Sequence, residues 1–231
     1  MLVESKINGK KWLWVNIQKT ATTSTLKTFF PEKEYNQQSH QIYVDLVRMY
    51  GYHDTFTMVR DPIDRFLSGI NHLFSVCECK RCIIDVTIPT TTEEVILFLS
   101  DMLRLKKKTP NFFETAYRNS QNSLHLEVVN SIQKRFSRNI TVGDVQCIRW
   151  PVIIPQHYIL HKATNIKIFK YEQIEQFFHF VETELGYSVV QEKFRNYTNK
   201  LSNVDVNNST LRTLIYELHK EDFKLYGYNI C

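Results

Sequence analysis

The sequence predicts an α/β fold in which a parallel sheet is covered by helices on both faces. Three observations carry that expectation. Short apolar runs occur at KKWLWVNI (Lys11 to Ile17), TFTMV (Thr55 to Val59) and NIKIFKY (Asn165 to Tyr171), and the first is nearly continuous, as expected of a parallel strand buried on both faces. Segments with apolar residues at helical spacing lie between and after them. Residues that start or stop helices sit at the junctions.

In chain order, Lys11 to Ile17 is the first core strand, and Leu26, Phe29 and Phe30 then share a helical face that Pro31 terminates. Ile42, Leu46 and Met49 mark a second helix, with Gly51 placed to end it. Thr55 to Val59 is the second strand. It leads at once into a helix for which Asp61 is a cap and Pro62 the first residue. A further helix is expected from Glu93 to Lys107, within a stretch from about Ser75 to Pro155 whose periodicity is otherwise weak. Asn165 to Tyr171 is the third strand, followed by a helix burying Phe177, Phe180, Val181 and Leu185 and ending at Gly186. The last helix carries Leu211, Leu214, Ile215 and Leu218.

With 231 residues, 43% hydrophobic and 23% charged, the chain can build a sizeable core, and no linker or repeat divides it. We expect a single domain over residues 1–231. The formal net charge of +5 favours anionic partners without choosing among them. No window approaches the roughly 18 apolar residues of a membrane span. The first ten residues carry charges and no apolar leader, which leads us to expect a soluble, cytoplasmic chain. Cys77, Cys79 and Cys82 in CECKRC make neither a complete disulfide framework nor the paired spacing of a zinc site, so no metal is expected.

The chemistry concentrates in two stretches. In VNIQKTATTSTLKTFF the first strand ends near Lys19 and a hydroxyl-rich turn opens a helix. The glycines of the nucleotide triphosphate loop are missing, which speaks against an ATPase or kinase. What is left is the Lys19 cation, the hydroxyls of Thr20, Thr22, Thr23 and Ser24, and the backbone N–H groups from Ala21 onward, a combination that attracts anions at a helix start. The second stretch, VRDPIDRFLSGINHLF, places Arg60 at a strand end and Ser68 eight positions on.

Together, KTATTS and RDPIDRFLS resemble the two phosphate-gripping motifs of sulfotransferases that use 3'-phosphoadenosine 5'-phosphosulfate (PAPS). The chain is most similar to heparan sulfate 2-O-sulfotransferase-like carbohydrate sulfotransferases, through KTATTS, HQIYVDL, IPQHYIL and the closing YELHKEDFKLYGY. This resemblance implies a P-loop-like, three-layer α/β/α architecture around a central parallel sheet, with PAPS as sulfuryl donor and adenosine 3',5'-bisphosphate (PAP) as product. It implies that Lys19 meets the sulfate and the bridging oxygen, that Thr20, Ala21, Thr22, Thr23 and Ser24 hold the 5'-phosphate, and that Arg60 and Ser68 hold the 3'-phosphate. Lys200 lies where related enzymes close a basic loop over the nucleotide.

The acceptor hydroxyl must lose a proton during transfer, and histidine titrates near neutrality. His40 in SHQIYVDL matches the family segment that carries a catalytic histidine, and His72 is the reserve. The family has a second histidine two positions earlier, where this chain has Gln38. The expected acceptor is a hydroxyl group, most simply on a sugar, and no nucleic acid is expected as a partner. A longer, anchored parent chain would place the same domain in the Golgi lumen. The basic run Arg104 to Lys108 reads first as a solvated helix end and second as a polyanion contact. Two other function classes fit parts of the pattern: a nucleotide kinase, which would need ATP and magnesium, and an inactive nucleotide- or polyanion-binding module.

Overall fold

The structure, a computed structural model, describes residues 1–20, 25, 41–75, 91–109, 111–114, 154–189 and 203–229. The chain divides into two compact units, one made of Met1–Asp61 and Gln156–Tyr197, the other of Pro62–Pro155 and Thr198–Cys231.

The first unit holds a four-stranded sheet in the order β1-β2-β3-β4, built from β1 (Leu2–Glu4), β2 (Lys11–Val15), β3 (Asp54–Val59) and β4 (Ile166–Lys170). β2, β3 and β4 run parallel, with Val15 opposite Thr57 and Val59 opposite Lys170. The sheet is mixed rather than wholly parallel, because the short β1 pairs antiparallel with β2. A three-residue strand reached by a turn through Gly9, where φ is +69°, needs no crossover helix.

Helix α1 (Tyr43–Tyr50) packs beside β2 and ends at Gly51, whose φ of 80° suits only glycine without strain. Its Ile42 flank and Leu46 are buried, but Met49 is 46% exposed. Of the three apolar residues expected along that helix, two therefore enter the core.

The even-numbered residues of the central strands make one apolar face. Trp12, Trp14, Phe56 and Met58 pack with Phe177, Phe178, Phe180 and Val181 of α5 (Ile174–Thr183) and with Leu185. A 3₁₀ turn at Tyr171–Gln173 joins β4 to α5. Gly186 follows the helix at φ +73°, and a Cβ there would lie 2.8 Å from Ile7 Cγ1, so both its own backbone and the approach of the turn after β1 favour glycine. The opposite face of β2 and β3, with Leu13, Val15, Thr55, Thr57 and Val59, is also buried, consistent with the nearly continuous apolar run at β2. Thr57 is reconciled with burial by donating its hydroxyl to the Val15 carbonyl at 2.7 Å.

The second unit is helical where it is described. It contains α2 (Pro62–Ser75), α3 (Thr92–Lys108) and α6 (Ser209–Tyr226), with α6 packed on both others. α2 begins at Pro62 as expected. α3 starts one residue earlier than the periodicity suggests because Thr91 and Glu94 form a reciprocal capping box. α6 is kinked at His219 (φ −113°, ψ 19°), where a buried polar cluster interrupts the apolar stripe. His219 Nδ1 lies 3.4 Å from Asp222 Oδ2, both fully buried, and the His219 ring meets Phe66 edge-on at 5.6 Å. Arg65, also fully buried, donates to the Ile154 carbonyl at 2.8 Å.

Burial pushes the Tyr226 phenol far above its ordinary range, Asp222 pushes in the same direction, and Arg65 opposes them. A raised folded-state pKa contributes stability that is complete below the unfolded pKa near 10 and is lost as pH rises beyond it. Thermal unfolding at pH 9 and pH 11 should show the wild type losing stability more steeply than Tyr226→Phe, by up to about 1.4 kcal/mol per pH unit for one proton. Equal slopes would mean that the phenol is not held protonated.

Candidate functional site

Because β2, β3 and β4 are parallel neighbours, their carboxyl ends reach one edge of the sheet, the edge outside which open α/β sheets bind ligands. Each strand delivers a short polar segment there. From β2 come Asn16, Ile17, Gln18, Lys19 and Thr20; from β3, Arg60 and Asp61; from β4, Tyr171 and Glu172.

Lys19 is half-buried, with φ at +68°. A side chain in this left-handed region costs about 1–2 kcal/mol, and such strain is found chiefly where the surrounding structure enforces it. The enforcement is visible. Thr20, 3% exposed, donates its hydroxyl to the Ile17 carbonyl at 2.6 Å and closes the turn. Thr20 was expected at the 5'-phosphate; its hydroxyl proton is engaged within the turn, which leaves its oxygen as an acceptor.

Arg60 brings the two motifs together. Its Nη1 makes a long contact of 3.5 Å to the Lys19 carbonyl, 41 residues away in sequence. Its guanidinium lies over the Tyr171 ring at 4.9 Å, a cation–π arrangement that limits the swing of the side chain. The Arg60 backbone is held as firmly. Its N–H donates to Gln156 Oε1 at 2.9 Å, and its carbonyl accepts from Gln156 Nε2 at 2.8 Å. The next N–H, that of Asp61, donates to Glu172 Oε1 at 2.8 Å. Gln156 belongs to the short helix α4 (Gln156–Ile159) and is fully buried.

The arrangement can receive an anion. A lysine on a constrained turn and an arginine with fixed backbone and stacked guanidinium stand at one strand-end edge, and both are donors suited to phosphate or sulfate oxygens.

Ser68 is half-buried on α2, in the second unit, and His72 falls within the same helix. Ala21, Thr22, Thr23, Ser24, His40, Lys200 and the Cys77, Cys79 and Cys82 group lie outside the described residues. Among the described residues no group of three or more His, Cys, Asp or Glu side chains is placed to hold a metal ion, and no helix is long and apolar enough to cross a membrane. In the basic run, Arg104 lies 3.4 Å from Asp101, and Lys106 donates to the Glu217 carbonyl at 3.3 Å. Burial lowers the Lys106 pKa against the opposing pull of Glu217 and Glu221. Lys107 and Lys108 are exposed, so the run is part packing and part solvated face.

Gln156, Tyr171 and Glu172 were not expected at the site. Their partner Arg60 is 96 residues before Gln156, and Glu172 is 111 residues beyond Asp61, so no local spacing connects them. Gln156 lies in the IPQHYIL segment and Tyr171 ends the NIKIFKY run, but neither segment marks a contact with Arg60.

Compared with known proteins, the chain matches no family model, and no curated protein and no solved structure matches it.

Proposed function

We propose that the chain is a PAPS-dependent sulfotransferase of P-loop-like, three-layer α/β/α architecture, transferring a sulfuryl group to a hydroxyl on a carbohydrate acceptor. The observation that carries this reading is the convergence of the two motifs: the Lys19 turn after β2 and Arg60 after β3 meet at the carboxyl edge of parallel strands. Sulfuryl transfer forms a bond from the acceptor oxygen to sulfur and breaks the bond from sulfur to the bridging oxygen. Catalysis of this kind rests on positioning and on positive charge near the oxygens where negative charge grows. In this reading Lys19 supplies that charge and Arg60 holds the nucleotide's 3'-phosphate. The resemblance assigns His40 the acceptor proton.

Titration calorimetry with adenosine 3',5'-bisphosphate, adenosine 5'-phosphate and ATP with magnesium tests the reading. A charge-assisted hydrogen bond is worth roughly 1.5–3 kcal/mol, so the 3'-phosphorylated nucleotide should bind at least about tenfold more tightly than adenosine 5'-phosphate. Arg60→Ala should erase most of that preference. Equal affinity for the two adenosine phosphates in the wild type would end the sulfotransferase reading, and tightest binding of ATP with magnesium would favour a kinase.

A further inference from the structure

We propose that Gln156 is a positioning residue for the Arg60 anion site, an inference that rests on the nucleotide reading above. The Arg60 peptide leaves the sheet where β3 ends at Val59, so its N–H and carbonyl need partners beyond the strand ladder. The Gln156 side-chain amide supplies both, accepting from Arg60 N–H at 2.9 Å and donating to Arg60 O at 2.8 Å. A primary amide donates and accepts in the same plane, as a neighbouring backbone peptide does. Full burial of Gln156 keeps water from competing for either bond.

Glu172 fixes the following N–H, that of Asp61, at 2.8 Å. Two consecutive peptides are therefore held, and the direction in which the Arg60 side chain leaves the backbone is set before any ligand arrives. Tyr171, adjacent to Glu172, lies against the guanidinium at 4.9 Å and limits the remaining rotation. A ligand anion then meets a pre-oriented fork and need not order it, which is where affinity is gained.

The test compares Gln156→Ala, which loses both bonds, with Gln156→Glu, which keeps an acceptor and loses the donor to Arg60 O. Each variant is titrated with adenosine 3',5'-bisphosphate and with adenosine 5'-phosphate, and its thermal unfolding is recorded. Gln156→Ala should weaken the 3'-phosphorylated ligand about tenfold while changing adenosine 5'-phosphate little, with Gln156→Glu falling between it and the wild type. A purely structural residue would lower the unfolding temperature and shift both ligands together, or neither. A wild-type 3'-phosphate preference that survives unchanged in folded Gln156→Ala overturns the positioning role alone. If Gln156→Ala does not fold, the same ratio measured on Gln156→Glu decides. Failure of both variants to fold makes Gln156 a structural residue and overturns the proposal. Absence of any 3'-phosphate preference in the wild type overturns the nucleotide reading and the positioning role with it.

Discussion

On the sulfotransferase reading proposed above, replacing Lys19 with alanine should lower sulfuryl transfer from PAPS by about 10²-fold or more, the usual consequence of removing one group that stabilises charge in a transition state. The fold should persist, because the lysine is half-buried at a turn whose closing bond runs from Thr20 to the Ile17 carbonyl. Lys19→Gly separates charge from backbone strain. Both variants remove the amine, but only glycine relaxes at the φ of +68° that Lys19 adopts, so Lys19→Gly should unfold at a higher temperature than Lys19→Ala while being equally slow. Release of adenosine 3',5'-bisphosphate in the presence of a mixture of hydroxylated acceptors is the rate measurement. Wild-type turnover in Lys19→Ala would remove Lys19 from the chemistry.

The largest loss of stability is expected from Phe56→Ala. Phe56 is fully buried on the central strand β3, stacked on Trp14 at 6.0 Å and packed against Phe180 at 5.2 Å and Phe177 at 6.3 Å. Truncating a buried phenylalanine removes its transfer free energy and leaves a cavity that the surroundings fill only partly, about 3–5 kcal/mol together. Against a typical total of about 5–15 kcal/mol, that is a large share. Urea unfolding followed by tryptophan fluorescence should show a lower midpoint with little change in slope. A loss below about 1 kcal/mol would contradict the packing described for this face of the sheet.

β2 and β3 were legible because they are buried on both faces, and β4, which is half-buried to exposed, because Ile166, Ile168 and Phe169 still make a short apolar run. The runs containing Leu13, Phe56 and Phe169 are apolar enough to need no tertiary context, and all three became strands within a residue or two of their expected ends. Helix ends were legible where backbone chemistry leaves a mark, at Gly51, Pro62 and Gly186. β1 was not, since three residues show no periodicity and its place depends on pairing with β2. The kink at His219 was hidden for a related reason, because it depends on burial among Asp222 and Phe66 rather than on any local helix breaker. For the candidate site, Lys19 and Arg60 stood out because their motifs are local. The supports of Arg60 did not, because an orienting residue needs only to arrive at the right place in space and leaves no pattern near its partner.

The contact between Arg60 and Gln156 spans 96 residues of sequence, and that separation orders events in time. During synthesis β2 and β3 can pair early, but β3 has no outer neighbour until residue 166 has emerged. A strand edge waiting so long is exposed to pairing with other chains. Contacts of high sequence separation also slow folding, since a long loop must close before they reward it. The return of the chain at Gln156 is therefore one of the long closures this fold has to make, and the residue that marks it is the same one that holds the arginine in place.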